Sequence, residues 1–191
     1  MKAITAFVLL AILGGLGTSH ADGTKQARDK LAWVVINTPD YTIQLPTGWQ
    51  AGPQTPFGQR TLSPRNSKSN TGEFMTAMTA DGPTSESWDQ LYHTALYFIG
   101  RAAGKNLLTP TPYRVLYGPQ GTQSCSWEMH DAAGTVRGRY TILRDKSNHI
   151  LALSVHIPKD AAISAKHLTQ YFQHLVDTAV LHPASEHLAS K

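Results

Sequence analysis

The sequence predicts an α+β domain, a mainly antiparallel β-sheet flanked by helices in an α/β/α sandwich. Three observations carry this. Short segments alternate apolar and polar residues and are bounded by Pro, Gly, Asn and Asp. Two longer segments, over residues 88–102 and 160–181, repeat apolar residues at three- and four-residue steps instead. The last strand segments before the second of these follow one another through short turns, as an antiparallel meander does.

The chain opens with a positive residue, Lys2, and an apolar run from Ala3 to Leu16. Thr18-Ser19-His20-Ala21 then sets small residues at the positions an export peptidase reads, so the sequence predicts a signal peptide cut after Ala21. The run is short for a membrane span and no stop-transfer segment follows, which leaves no integral membrane segment after cleavage. The expected location is periplasmic or secreted. Residues 22–30 read as a polar leader, 31–182 as one domain and 183–191 as a flexible tail.

Within the domain, Trp33–Ile36 and Tyr41–Leu45 read as strands separated by the turn residues Asn37-Thr38-Pro39-Asp40. Pro46-Thr47-Gly48-Trp49 ends the second. Phe57–Leu62 and Glu73–Ala80 are the next strands, joined by a polar loop over Ser63–Gly72. A helix follows, capped by Thr84 or Ser85 and stopped at Gly104. Trp88, Leu91, Tyr92, Ala95, Phe98, Ile99 and Ala102 line its apolar face. Lys105–Pro112 reads as irregular because of its two prolines.

Tyr113–Tyr117 leads into three strands, Thr122–His130, Thr135–Arg144 and His149–Ile157. Asp131-Ala132-Ala133-Gly134 fits a type I turn. Closed there, the hairpin sets Cys125 opposite Tyr140, Trp127 opposite Gly138 and Met129 opposite Val136. Asp145–Asn148 closes the next, setting Tyr140 opposite Leu153 and Ile142 opposite Leu151. One apolar face then runs across three strands, with Glu128, Arg137, Arg139 and His156 on a mixed opposite face. That face reads either as a solvated surface with a Glu128–Arg137 salt bridge or as a shallow binding surface. The last helix spans Asp160–Leu181, with Asp160 as its cap and Pro183 after its end.

Composition narrows the function. Hydrophobic residues make up 41% of the chain, enough for a core. The formal charge of +4 includes Lys2 of the expected signal peptide and is scattered, without the basic stripe that nucleic-acid binding needs. Cys125 is the only cysteine, so no internal disulfide forms; a buried thiol or an intermolecular bond are its two readings. No G-x-S-x-G elbow is present, and Cys125 and His130 point to opposite faces. No His-x-x-x-His pair occurs. His167 and His174 sit about 10.5 Å apart along the helix, too far for one ion, and read as solvent-facing, as does His182. Gly118-Pro119-Gln120-Gly121 lacks a phosphate loop's Lys and reads as a turn. No catalytic residue, metal or cofactor is expected. The binding candidates are Glu128, Arg137, Arg139, His156 and Trp49, the last as a pocket-mouth residue or a core tryptophan.

The run Tyr41-Thr42-Ile43-Gln44-Leu45-Pro46-Thr47-Gly48-Trp49, with the element order around it, resembles the PsbP/Mog-like superfamily and its bacterial DcrB-like domains of unknown function. The resemblance covers about Leu31–Leu181. It implies a three-layer α/β/α domain and a non-enzymatic role, since the superfamily includes photosystem accessory subunits, a small-GTPase-binding factor, effector chaperones and exported proteins. No catalytic residues carry over. The sequence departs from the photosystem branch in having no thylakoid transit peptide and no evident manganese or calcium cluster. The expectation is an exported accessory or binding protein with a protein partner. The alternatives are a small-molecule or lipid-binding module and a hydrolase of unrecognised type.

Overall fold

A computed structural model describes residues 32–65, 74–80, 83–103, 108–118, 121–161 and 163–182. The strands are β1 (Trp33–Asn37), β2 (Tyr41–Pro46), β3 (Trp49–Ala51), β4 (Gln59–Pro64), β5 (Phe74–Thr79), β6 (Thr109–Pro110), β7 (Arg114–Tyr117), β8 (Gln123–His130), β9 (Val136–Arg144), β10 (Ile150–His156) and β11 (Val180–Leu181). The helices are α1 (Trp88–Ala103) and α2 (Ala165–Thr178). A large sheet runs β3-β4-β5-β10-β9-β8-β6, with β7 also paired to β8, and a small sheet runs β1-β2-β11. Every described pairing is antiparallel. The antiparallel α+β reading holds.

Two cores sit on the two faces of the large sheet. On one, Leu91, Tyr92, Ala95 and Ile99 of α1 pack on Cys125, Trp127, Met129, Ile142 and Ala152. On the other, Leu168, Phe172 and Leu175 of α2 and Tyr41, Ile43 and Leu45 of β2 pack on Leu62, Met75, Ala77, Leu151, Leu153 and Val155. Both helices therefore bury the stripe that their periodicity marks. Polar contacts pin α1 to the sheet at one end. The Arg144 guanidinium lies 4.2 Å from the Trp88 ring centroid and donates through Nη2 to the Glu86 carbonyl at 2.6 Å.

Element ends differ from expectation for local reasons. Ser87, not Thr84 or Ser85, caps α1. Its Oγ accepts from Gln90 N–H, and Gln90 Oε1 accepts from Ser87 N–H, a reciprocal capping box. Ser164, not Asp160, caps α2 by accepting from His167 N–H. Asp160 lies in a turn before the helix. Val180–Leu181 leave the helix and join β2 as β11. The third expected strand starts at Gln59, leaving Phe57 60% exposed in a turn. Ser63 and Pro64 belong to β4, and residues 66–73 of the expected loop lie outside the described residues. Trp49 starts β3 after the Pro46–Gly48 corner. Thr109–Pro110, expected to be irregular, form β6 at the sheet edge, where proline's missing N–H costs no ladder bond. The leader, Gly104 and the tail lie outside the described residues.

The hairpin registers are the main correction. Both turns close one residue later than a two-residue loop would. Asp131 N–H donates to Thr135 O, and Asp145 N–H to His149 O. In each the fourth turn residue is left-handed, Gly134 at φ 77° and Asn148 at φ 64°. A type I turn followed by a left-handed residue is the three-residue hairpin loop. One added residue inverts which faces meet. In the first hairpin a second irregularity between Met129 and His130 adds another residue and cancels the inversion. Cys125, Trp127, Met129, Tyr140 and Ile142 accordingly share a face as expected, although their partners shift: Trp127 meets Tyr140 and Met129 meets Gly138. Val136, before the irregularity, turns to the other core. The second hairpin shows no such compensation, so Ile142 meets Ala152 and Thr141 meets Leu153. Leu151, Leu153 and Val155 thus face α2 rather than Trp127.

Gly138 allows a close approach. A Cβ there would meet Cε2 and the hydroxyl oxygen of Tyr140 at 3.0 and 3.1 Å. The Tyr140 ring folds over Gly138 and stacks on Trp127 at 5.4 Å and 9° between planes. The expected Trp127 cover over Gly138 is supplied by Tyr140 instead.

The turn geometry is testable by urea unfolding. Asn148→Gly should leave stability unchanged within a few tenths of a kcal/mol, whereas Asn148→Val should cost about 1–2 kcal/mol, the left-handed penalty of a residue with a branched Cβ.

Candidate functional site

The expected mixed face is divided by the register. Ser126 and Glu128 alternate with Cys125 and Trp127, so they point away from α1. Glu128 lies opposite Arg139, not Arg137. Arg139 Nη2 donates to Glu128 Oε1 at 2.8 Å, and His130 Nε2 stands 3.1 Å from Glu128 Oε2. The other ring nitrogen of His130 lies 3.1 Å from the Gly134 carbonyl. Each of the three side chains is roughly 30% exposed, so they form a half-exposed cluster on the flank of the sheet facing α2.

Arg137 belongs to the turn. Its Nε donates to Asp131 Oδ2 at 2.7 Å, while Asp131 Oδ1 accepts from Ala133 and Thr135 N–H at 3.0 Å each. The Thr135 N–H and then the Arg137 guanidinium hold the Asp131 carboxyl below its ordinary proton affinity. The expected Glu128–Arg137 salt bridge is thus two separate pairs, because Arg137 sits in the bulged stretch.

His156 lies on the other face of the sheet. It follows Ala152 and Ser154 in alternation, lies opposite Gly138 and Phe74, and stacks on the Phe74 ring at 5.4 Å. Burial, and then the positive charge of Arg137, lowers its proton affinity. Trp49 is a core residue, 4% exposed and edge-on to Tyr171 at 6.0 Å. The five binding candidates therefore do not form one site: Glu128 and Arg139 meet, Arg137 pairs with Asp131 at the turn, His156 is half-buried on the opposite face and Trp49 is in the core.

Reactive groups are held in unreactive settings. Cys125 is fully buried, and burial pushes its thiol up to about 11, so it is protonated at neutral pH. The Tyr140 hydroxyl is pushed up to about 12 by burial. Among the described residues, no group of three or more His, Cys, Asp or Glu side chains could hold a metal ion. No described helix is long and apolar enough to cross a membrane. A cleft between α1 and the sheet, lined by Leu91, Phe98, Trp127 and Tyr140 among others, has a volume of about 20 Å³, room for one water.

Sequence reasoning missed two features of the surface. His174 is not solvent-facing. It stacks on Trp33 at 3.5 Å and contacts Gln44 Oε1 at 3.0 Å, while His182 reaches Thr42 Oγ1 at 2.9 Å. Both tie the end of α2 to the small sheet, and the apolar–polar pattern carries no signal for such long-range partners. Second, Val35, Val180, Leu116 and Tyr117 are 53–79% exposed although all are strand residues.

With this geometry the chain can be set beside known proteins. No family model and no curated protein matches it. Among solved structures it is similar to cyanobacterial PsbP (CyanoP) from Synechocystis sp. PCC 6803, with a TM-score of 0.59 over 84% of this chain and 98% of that one. The fold is PsbP-like. At 8% identity the likeness concerns backbone arrangement and not side chains, which agrees with the fold expected from the Leu45–Trp49 corner and the element order.

A half-buried histidine whose proton affinity is lowered has a definite pH response. His156 is easier to protonate in the unfolded chain, so its contribution is present above about pH 6.5, the ordinary value, and is lost as pH falls below it. The slope due to this one group is at most about 1.4 kcal/mol per pH unit. Melting temperature should therefore fall more steeply with acidification in the native protein than in His156→Phe, as read by circular dichroism. Parallel curves would remove His156 as a source of acid sensitivity.

Proposed function

We propose that this PsbP-like protein is an exported, non-enzymatic accessory or binding protein of the bacterial envelope that works through protein–protein contacts. In this reading, cleavage after Ala21 releases a chain with leader 22–30, a domain over 31–182 and a tail over 183–191. The kinship with DcrB-like domains belongs to the same reading.

The observation that carries it is the outer face of the small sheet. Thr42 and Gln44 alternate with the buried Tyr41, Ile43 and Leu45 and so face outward. Val35 pairs with Gln44 and Val180 with Thr42, which sets both valines on that same face, 53% and 55% exposed. The polar groups between them are already engaged. Thr42 Oγ1 donates to Asn37 Oδ1 at 2.8 Å, and Gln44 and Thr42 hold His174 and His182. A partner would meet a rigid surface with apolar side chains and few polar groups to desolvate, which favours a protein contact. Glu128, Arg137 and Arg139 are proposed as secondary polar contacts on the sheet flank. The small-molecule alternative has its best opening in the cleft beside Trp127, and a space for one water does not take a metabolite. The hydrolase alternative lacks an activated nucleophile near Glu128 or His130.

Two measurements test the proposal. Fractionation with N-terminal sequencing should find a chain beginning at Asp22 outside the cytoplasm. A photo-crosslinking residue at position 35 or 180 should capture a discrete partner in cells; with the crosslinker at 35, Val180→Glu should abolish capture, and with it at 180, Val35→Glu should, each shifting stability by less than about 0.5 kcal/mol, as surface changes do. Absence of any adduct at both positions would refute the contact surface.

A further inference from the structure

We infer that β7 is a self-pairing edge, through which two copies of this chain join their large sheets antiparallel about a two-fold axis at Leu116. The inference is independent of the partner proposed for the small sheet.

The geometry follows from the turn after β7. Gly118 N–H donates to Thr122 O at 2.8 Å, which makes residues 118 and 122 a hydrogen-bonded pair. Such pairs alternate along an antiparallel ladder. In the observed register, Leu116–Ser124 and Arg114–Ser126 are then hydrogen-bonded pairs, and Val115–Cys125 and Tyr117–Gln123 are not. The backbone N–H and C=O of Val115 and Tyr117 consequently point away from β8. Among the described residues no strand pairs with that side of β7.

The side chains there do not protect the edge in the usual ways. Leu116 and Tyr117 are 65% and 79% exposed. The strand has no proline, lysine or bulge, the devices that normally blunt an edge. Its one charge, Arg114, forms no ion pair among the described residues.

The occupant is identified by self-complementarity. When Val115 exchanges its backbone bonds with Tyr117 of a second copy, the two-fold relation makes Tyr117 exchange with Val115 of that copy. Leu116 then lies beside its own counterpart. Arg114 lies opposite Gly118, which has no side chain, so no like charges are opposed. Sliding by one step of the ladder in one direction requires an N–H from Pro119, which has none. Sliding the other way moves Tyr113, outside β7, into the pairing. The missing Pro119 N–H and the end of β7 at Arg114 thus favour this register. A four-residue seam buries less than the roughly 1,000 Å² of a stable interface, so the dimer is weak and reversible.

Cysteine crosslinking tests the register directly. Cys125, the only native cysteine, is buried. At a non-hydrogen-bonded antiparallel pair the Cα atoms are about 4.5 Å apart, within disulfide range. Under mild oxidation Leu116→Cys should give a covalent dimer at least about tenfold faster than Arg114→Cys, an exposed neighbour on the same strand. Sedimentation equilibrium from about 1 to 500 μM should show reversible dimerisation of the native protein within that range. It should be lost in Leu116→Lys and in Val115→Pro, which removes an outward N–H and leaves the bonds to β8. Unchanged circular dichroism of Leu116→Lys guards against misfolding. Equal crosslinking at positions 114 and 116, or a monomer throughout that concentration range, overturns the inference and leaves the edge to a strand of another protein.

Discussion

Everything in this fold hangs on β10 being buried on both faces. Leu151, Leu153 and Val155 enter the core under α2, while Ile150 and Ala152 enter the core under α1. A strand in that position cannot slip by one residue without exchanging its two hydrophobic sets between cores of different shape. Ser154, in the middle of the strand, is tolerated because its hydroxyl lies 2.7 Å from that of Thr76 on β5, which satisfies two otherwise buried polar groups.

The same constraint decides where charges meet. Residues added at the turns and at the bulge act as switches of parity. The first hairpin carries two and keeps its faces; the second carries one and inverts them. Arg139 rather than Arg137 is therefore delivered to Glu128, Arg137 is left to Asp131, and His156 is carried to the opposite face beside Phe74. Half-exposed pairs such as Arg139–Glu128 contribute on the order of 0–1 kcal/mol, so they mark a surface without holding the fold together.

What is left for function lies on margins. Among the described residues the buried Cys125 thiol and Tyr140 phenol are protonated, and the cleft beside Trp127 is too small for a metabolite. Exposed apolar strand residues lie on the outer face of the small sheet and on β7 of the large one. A protein of this build can bind neighbours through one surface and pair with itself through another without either interfering with its cores.

Much of this was written locally. Alternation over Tyr41–Leu45, the stripes of α1 and α2, the turn residues at Asp131 and Asp145, the lone cysteine and the apolar leader are all properties of neighbouring residues, and each was readable without coordinates. The run Ile150–His156 shows the limit. A continuous apolar strand reads equally well in either register, because its pattern has no polar face to set it. Whether Asn148 would take a left-handed conformation, whether a bulge would follow Met129, and whether His174 would find Trp33 and Gln44 depended on contacts between segments far apart in the chain. By itself the sequence determined where the two helices and the longer strands lie, though not the short β3, β6 and β11; the tertiary structure alone decided register, and through it which charges meet and which strand edge stays open, because register is set by the joint fit of both cores to one strand.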